Sequence, residues 1–307
     1  EEMSPGHFRF SHDRIREAAY SLLPEGPEKQ QLHLKIGRQL RSYMDAQTEV
    51  GGAFSEESLL LNTTTQLNLG SDLIVDEWEQ LDLADLNYQS AELSAKRSSF
   101  YPAVEYLSLG LSQLGDDPWN DHYQLQMKMS VALTRIKYCC GLYEDCLVTA
   151  DDVIENARAF HDKRPVYHTK LLALVQLERT EEATKLALSV LNELGQSFPS
   201  RALLLHCIPT YLKLRRKLKG MTDEELLNLK ELDEEQIADS CPFMERLFEV
   251  SLMGGNPMYQ FLVALRWMEL TLERGLFPMS SYSFVSWAWM KAILGNHDEG
   301  LRFGNWR

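Results

Sequence analysis

The chain contains an internal repeat that limits the kinds of fold it can form. The segment AVEYLSLGLSQLG (103–115) aligns without a gap with ATKLALSVLNELG (183–195), and the matched positions are Ala103 with Ala183, Leu111 with Leu191, Leu114 with Leu194 and Gly115 with Gly195. Cys146 occupies the equivalent place between them, so the spacings are 43 and 37 residues. No strand-like alternation of any length follows residue 10. A period of this length is typical of stacked helix pairs that each bury one face on their neighbours.

Residues 87–115 show one such pair most clearly. Pro102 stands near the start of the second helix and Gly115 stands at its end, the positions that these residue types favour. Small or apolar residues recur three or four positions apart, which places them on one helix face. The pattern is that of a degenerate tetratricopeptide-like repeat, and it predicts an all-α solenoid of antiparallel helix pairs. The residues expected to pack between helices are Ala91, Ala103, Leu107, Gly110, Cys146, Ala183 and Ala187.

Capping and breaking residues predict where the helices lie. Ser11, Asp76 and Thr222 resemble N-caps, and Glu79 and Glu225 stand three residues after the last two, as in a capping box. A short strand is predicted at 7–10. The predicted helices cover 11–23, 28–46, 55–70, 76–96, 102–115, 117–140, 143–160, 165–177, 180–194, 199–218 and 281–294, with further helices on both sides of 254–257 and from 297 onward.

Composition and charge exclude several classes of protein. The 307-residue chain has a formal charge of −14, which argues against binding to nucleic acid or to an anionic membrane surface. No apolar run approaches the roughly 18 residues that a membrane-spanning helix needs. The five cysteines form no CxxC pair, which indicates reduced, packed thiols in the cytoplasm. The chain starts at Glu1 without a signal segment, so we expect an internal piece of a longer cytoplasmic polypeptide.

The sequence lacks the motifs of common catalytic and cofactor sites. It contains no GxxxxGK[ST] phosphate loop, no protein-kinase motif set, no HExxH and no Cys/His metal spacing. We therefore expect that the chain is not an enzyme and has no catalytic residue, no cofactor and no metal. The segment FSHDRIR (10–16) is similar to the phosphoacceptor box of sensor histidine kinases, but its Arg lies one place late and the Pro is missing. A capped helix start with His12 in a local hydrogen bond is favoured over a phosphoacceptor.

A cluster of five cations is the first candidate for binding, at Lys213, Arg215, Arg216, Lys217 and Lys219. It could bind phosphate or an acidic partner, with Arg215 and Arg216 as the interacting residues. The cations also lie in the last turns of a predicted helix, where positive charge is favoured, and an acidic stretch (223–239) follows directly. We therefore favour the interpretation that these cations stabilise the end of their helix over the interpretation that they bind a partner.

The second candidate is the segment rich in methionine and aromatic residues that begins at Phe243. Its tryptophans Trp267, Trp287 and Trp289 could line a groove for a peptide or a small apolar ligand. Apolar residues at helical spacing run through the same segment, and such a stripe is typical of a core. Core packing is therefore favoured for these tryptophans.

Several longer segments resemble a known family. HFRFSHDRIREAAYSLLPE with LHLKIGRQL (7–40) is similar to the end of the ATPase module of large signalling ATPases, where a winged-helix element passes into helical repeats. DEWEQLDLADLNYQSAELSAKRSSFYPAVEYLSLGLSQLGDDPW (76–119) resembles the middle region of multidomain proteins that join a serine/threonine kinase, an AAA-type ATPase, a GAF sensor and a histidine kinase. LLALVQLERTEEATKLALSVLNELGQSFP (171–199), MTD (221–223) and NHDEGLRFG (296–304) continue this resemblance.

The resemblance implies a division of the chain and a role. Residues 1–26 would be the winged-helix end of the ATPase module, 27–220 the tetratricopeptide-like repeats and 221–307 further helix pairs rich in methionine and aromatic residues. The region would be a non-catalytic scaffold for protein interaction or signal relay, with the flanking ATPase and sensor–kinase domains or other proteins as partners. Gln66 stands where the family commonly has His, and the ending after Gly304 does not continue the family's apolar helix. A free-standing helical adaptor that binds a peptide or a small apolar ligand is the alternative.

The C-terminal end of the array predicts an uncovered apolar surface. The helix at 281–294 has apolar residues to bury, and only about two turns of helix follow it. The last helix is expected to place Gly300 where a small residue is needed and to turn Leu301 and Phe303 inward. Since an uncovered apolar patch tends to associate, we expect self-association of the chain through this end.

Overall fold

The computed structural model describes residues 2–4, 7–8, 12–22, 26–46, 55–201, 203–231, 235–254 and 256–304. Helices dominate this part of the chain and pack in adjacent pairs, which confirms the predicted all-α helical-repeat architecture. They are α1 (Asp13–Ser21), α2 (Pro27–Ala46), α3 (Glu56–Asn68), α4 (Glu77–Lys96), α5 (Phe100–Leu111), α6 (Pro118–Asp121), α7 (Tyr123–Cys139), α8 (Tyr143–Asn156), α9 (Phe160–Gln176), α10 (Thr180–Glu193), α11 (Leu203–Lys219), α12 (Asp223–Leu227), α13 (Glu235–Leu252), α14 (Met258–Glu273), α15 (Ser280–Ile293) and α16 (His297–Gly304).

A short hairpin precedes the helices. Strands β1 (Glu2–Ser4) and β2 (His7–Phe8) pair antiparallel, with Glu2 opposite Phe8 and Ser4 opposite His7. The predicted strand at 7–10 is therefore present at its first two residues, and 9–11 lie outside the described residues. The assignment of residues 1–26 to a winged-helix element stays a prediction.

The chain divides into two compact units, Glu1–Leu142 and Tyr143–Arg307. In the first unit, α2 packs on α3, α3 on α4, α4 on α5 and α5 on α7. In the second, α8 packs on α9, α9 on α10, α10 on α13, α13 on α14, α14 on α15 and α15 on α16. Helix α11 packs on α14, which comes three helices later in the sequence. The predicted boundaries at 26 and 220 do not coincide with this division, and they stay predictions.

Small residues lie where the helices of a pair come closest. Ala91, Ala103 and Leu107 are completely buried in the core that α4, α5 and α7 share. Gly110 is also buried, and a Cβ atom added there would reach the side chain of Met129, lie 2.9 Å from the Asn87 Cβ and 3.2 Å from the Ala84 carbonyl oxygen. The other three residues expected between helices, in the second unit, are completely buried too; they are Cys146, Ala183 and Ala187.

Buried polar side chains fix how α3 lies on α4. Asn68 and Asn87 exchange two amide hydrogen bonds, each Nδ2 donating to the other's Oδ1 at 2.8 Å. The Ser90 hydroxyl donates to Thr64 Oγ1 at 2.9 Å in the same interface. Sliding one helix along the other would leave these groups without partners in the core, so the bonds set the register of the two helices.

A row of ion pairs joins the first helices of successive pairs. Helix α4 carries carboxylates that accept from cations of α2 on one side and of α7 on the other. The pairs are Arg38–Glu79 (2.7 Å), Arg41–Asp82 (2.8 Å), Lys128–Asp85 (2.6 Å) and Arg135–Glu92 (2.6 Å). The partners in these pairs are 41 or 43 residues apart, which is one repeat period. The repeat period is therefore visible in the surface ion pairs as well as in the core.

The observed helix caps agree in part with those predicted from the sequence. Asp76 accepts from the Glu79 backbone N–H at 2.9 Å, but the Glu79 carboxylate pairs with Arg38 and does not complete a capping box. Thr222 and Glu225 form both halves of their capping box. Several predicted bounds are wrong, and two of the differences have a local cause.

The helix predicted over 117–140 is two helices, α6 and α7, because His122 leaves helical backbone with φ −129° and ψ 41°. Helix α9 starts at Phe160 and includes Pro165, since one missing intrahelical hydrogen bond near the start does not end a packed helix. Helix α11 starts at Leu203, four residues later than predicted. The start predicted at Ser11 lies outside the described residues.

The last helix, α16, turns only one of its two large apolar residues inward. Phe303 is buried and lies parallel to Phe284 of α15 with ring centroids 6.2 Å apart, whereas Leu301 is 63% exposed. The prediction that both face inward is wrong because residues two apart on a helix point about 200° apart. Gly300 is buried against the Ala288 carbonyl oxygen, at a position that favours a small residue.

Candidate functional site

Helix α11 is apolar on two faces, and only one of them is covered. Leu203, Cys207, Leu214 and Leu218 are buried, as expected for a helix that packs on α14. The opposite face also carries large apolar side chains, which the packing on α14 leaves exposed to solvent. The fractions exposed are 57% for Leu204, 71% for Leu205, 49% for Ile208 and 48% for Leu212.

Three of these side chains, Leu204, Ile208 and Leu212, belong to one wall of an apolar groove in the second unit. The groove has a volume of about 410 Å³, and its exposed lining is entirely apolar. Helix α14 supplies its floor and α15 its other wall. The lining residues are Leu204, Cys207, Ile208, Tyr211 and Leu212 from α11, Met258, Phe261 and Leu265 from α14, and Met290 and Leu294 at the end of α15. We call this site the α11 groove.

A buried cation holds Tyr211 in place at the edge of the groove. Lys291 is 1% exposed, and its Nζ donates to the Tyr211 hydroxyl at 2.9 Å. The same Nζ lies 5.0 Å from the ring centroids of both Tyr211 and Trp287. Tyr211 and Trp287 stack with centroids 5.3 Å apart. The ring that lines the groove is thus fixed by stacking and by a charged hydrogen bond.

The three tryptophans of the sequence analysis occupy different positions. Trp267 and Trp287 are buried at 2% and 0% exposure, and their indole N–H groups have no acceptor among the residues described. They therefore belong to the core of the second unit. Trp289 is 37% exposed and stacks on Phe261 of the groove floor at 5.4 Å. It lies beside the α11 groove, and its role in binding stays a prediction.

The five cations of α11 separate into two sets. Lys213 Nζ contacts Glu269 at 2.9 Å and Glu273 at 2.7 Å, and Lys217 Nζ donates to the Leu272 carbonyl oxygen at 2.8 Å, so both tie α11 to α14. The hydrogen bonds to Glu273 and Glu269 raise the pKa of Lys213 above its ordinary value.

Arg215, Arg216 and Lys219 form the second set. All three are exposed and none makes an ion pair within the described ranges. The described acidic residues that follow them in sequence make no ion pair with them. Its Asp223 instead accepts from Arg302 of α16 at 2.8 Å. These three cations are therefore available to a charged partner.

His12, which lies in the segment similar to a phosphoacceptor box, comes directly before α1 and is exposed. The Arg14 backbone N–H donates to its Nδ1 at 3.5 Å, at the long limit for a hydrogen bond. Among the described residues, no group of three His, Cys, Asp or Glu side chains is placed to hold a metal ion.

The described helices include none long and apolar enough to cross a membrane.

The α11 groove itself could be anticipated only in part from the sequence. The run LLLHCIPTYLKL (203–214) has apolar residues on two faces of a helix, a pattern that equally predicts a fully buried helix. Chemically, a lining whose exposed surface is entirely apolar suits the binding of an apolar surface.

Comparison with known proteins places the chain beside a signalling protein. No family model matches it. It is similar to the hybrid signal transduction histidine kinase G of Dictyostelium discoideum, with 21% identity over 333 aligned positions. The similarity covers 97% of this chain, and the chain spans about a tenth of the length of that relative.

Proposed function

We propose that this chain is a non-catalytic helical scaffold in a signalling protein, and that it binds other protein segments through its helix surfaces. The observation that carries the proposal is the α11 groove, where apolar side chains about half exposed line a concave surface. The similarity to a hybrid histidine kinase over nearly the whole chain supports the signalling context. The proposed partners are ATPase and sensor–kinase domains of the same signalling system, in the reducing cytoplasm that five cysteines without a disulfide suit.

The energetics of the groove suit a reversible protein contact. Fully burying an exposed Leu or Ile side chain contributes about 1.5–3 kcal/mol, and the side chains of this wall are already about half covered. Three or four such residues therefore contribute a few kcal/mol before the entropic cost of association. A contact of this strength suits a relay that must form and release.

The reading frame around the chain provides the first test. A phosphate-loop ATPase sequence upstream and a histidine-kinase box downstream are the expected result. Purified proteins that contain those domains should then bind the 307-residue chain in sedimentation or surface-binding measurements. A frame that encodes neither domain would contradict the signalling scaffold.

A small apolar ligand is the second candidate for the groove. Its volume of about 410 Å³ and its apolar lining favour this alternative. Specific small-molecule sites, however, also expose a few polar groups that orient the ligand. Here the Tyr211 hydroxyl is bonded to Lys291, and the exposed part of the lining is entirely apolar. Saturable binding of the dye Nile red and its displacement by a long-chain alcohol would support the alternative, provided that protein segments do not compete.

The absence of phosphate-binding motifs gives a prediction about chemistry. The isolated chain is expected to show no heat of binding when titrated with Mg-ATP in a calorimeter and to incorporate no phosphate from labelled ATP. A His12→Ala variant is the matched control, because acid-labile phosphate that disappears in this variant would identify His12 as a phosphoacceptor and overturn the prediction.

A further inference from the structure

The proposed function leaves open what the α11 groove binds, and the following inference rests on that function. We infer that the groove receives an amphipathic helix of a partner protein that carries carboxylates in its first turn and runs antiparallel to α11. The order of apolar and basic side chains along α11 points to this partner.

One exposed stripe of α11 changes from apolar to basic along its length. Leu204, Ile208 and Leu212 are four residues apart, and Arg215 and Lys219 continue the same helix face at spacings of three and four. At a rise of 1.5 Å per residue, the apolar part extends over about 12 Å and the basic part over about the next 10 Å. A matching partner is therefore apolar along one stretch and acidic at the end that meets Arg215.

The cations of this stripe differ from those that stabilise the fold. Lys213 and Lys217 are satisfied by α14, while Arg215, Arg216 and Lys219 make no ion pair within the described residues. The helix dipole favours cations in the last turn, but it does not select which face of the helix they occupy. Their continuity with the uncovered apolar stripe therefore points to an acidic partner.

Helix dipoles determine the direction of the partner. Carboxylates are favoured in the first turn of a helix and disfavoured in the last. Acidic residues placed opposite Arg215 and Lys219 therefore belong to the N-terminal end of the partner helix, which makes it antiparallel to α11. A second copy of this chain is a poorer partner, because each copy carries a formal charge of −14 and the two would repel.

The test uses the whole 307-residue chain and a defined probe. The probe is a fluorescein-labelled helical peptide of 17 residues, the length of α11, with an Ala/Gln background, leucines at every third or fourth position and Asp-Glu-Glu in its first turn. A matched peptide has three lysines in place of the three acids. The dissociation constants are measured by fluorescence anisotropy at low and high salt.

The acidic peptide is expected to bind at least about tenfold more tightly than the lysine peptide, with the difference shrinking as salt rises. An Arg215→Glu/Arg216→Glu variant should reverse this preference, and Ile208→Asp should weaken both peptides by about tenfold or more. The control Lys96→Glu/Lys185→Glu makes the same change in net charge at exposed helical sites elsewhere and should leave both constants unchanged. Circular dichroism checks that each variant keeps the helix content of the parent chain.

Equal affinity for the two peptides, or a preference that survives the charge reversal, overturns the inference. A concentration-dependent dimer that Ile208→Asp abolishes would assign the groove to a second copy, and Nile red binding without peptide binding would assign it to a small molecule. Both results also overturn the inference. If the ATPase or kinase segments still bind the Ile208→Asp chain, the scaffold function stands and only the occupant of this groove is wrong.

Discussion

Gly110 shows how one residue sets the distance between helices. A Cβ atom there would lie 2.9 Å from the Cβ of Asn87, which cannot move without shifting α4. Replacing Gly110 by Ala should therefore destabilise the chain by about 1–3 kcal/mol, although Ala is the better helix former by about 0.5–1 kcal/mol. Urea unfolding measures the change. Ser108→Ala, on the exposed face of the same helix, is the control and should stay within about 0.5 kcal/mol of the parent chain.

The cysteines should differ in reactivity according to their burial. Cys139 is the exposed one of the five, whereas burial raises the pKa of Cys207 and raises that of Cys241 to about 11. Since the thiolate is the reactive form, iodoacetamide at pH 7.5 should label Cys139 first in the native chain and the buried thiols only after unfolding. Mass spectrometry of the time course, with Cys139→Ser as the control, checks this order. Rapid native labelling of Cys241 would contradict it.

At the scale of the element, the ion pairs of α4 make stacking depend on pH. Partial burial pushes the pKa of Asp85 upward, but hydrogen bonds from Lys128 and Gln89 outweigh it, so the pKa lies below its usual value. A carboxyl group with a depressed pKa stabilises the fold above its unfolded pKa, and this contribution is lost as the pH falls through the folded value. Both partners are about two-fifths exposed, so the pair contributes only about 0.5–1 kcal/mol.

Lys128→Met should therefore be less stable than the parent chain at pH 7, and the difference should shrink as the pH falls below about 4. Thermal melts between pH 3 and pH 7 measure it. Lys96→Met removes an exposed cation from the last turn of α4 and serves as the control, which should show a smaller and less pH-dependent change. A Lys128→Met difference that is constant over this range would show that the pair does not stabilise the fold.

The helices that the sequence predicted well are those whose ends are determined locally. Asp76 and Thr222 cap the starts of α4 and α12 by accepting from backbone N–H groups three residues on, and such capping needs only neighbouring residues. The break at His122 was missed because no proline or glycine marks it. Ala183 and Ala187, which recur at the spacing of one helix face, are both buried.

The candidate site was harder to predict because it depends on packing between helices that are distant in sequence. Two apolar faces on α11 are compatible with complete burial, and only the packing of α14 shows that one face stays uncovered. The sequence likewise cannot distinguish Lys213, which pairs with Glu269, from Arg215, which makes no ion pair in the described ranges. Their partners are distant in sequence, so charge spacing along one helix does not identify them.

At the scale of the whole molecule, stability should be local. In a repeat array each helix pair depends mainly on its neighbours, so a mutation lowers protection chiefly in its own unit. Gly110→Ala is expected to accelerate amide hydrogen exchange within α4, α5 and α7 and to leave that of α14 and α15 unchanged. Ile208→Asp, on an exposed wall, is the control and should change neither set. Uniform acceleration over the whole chain would show that the array unfolds as one cooperative body.

The packing of α11 on a helix that follows much later has a consequence for synthesis. Most helices of this chain meet their packing partner as soon as the next helix leaves the ribosome, but α11 ends at Lys219 and α14 starts at Met258. At about 5–20 residues per second, α11 is without that partner for about 2–8 s, with both apolar faces bare. Even then only one face is covered. The helix that offers the binding surface is therefore also the helix most open to chaperones and to misassembly while the chain is being made.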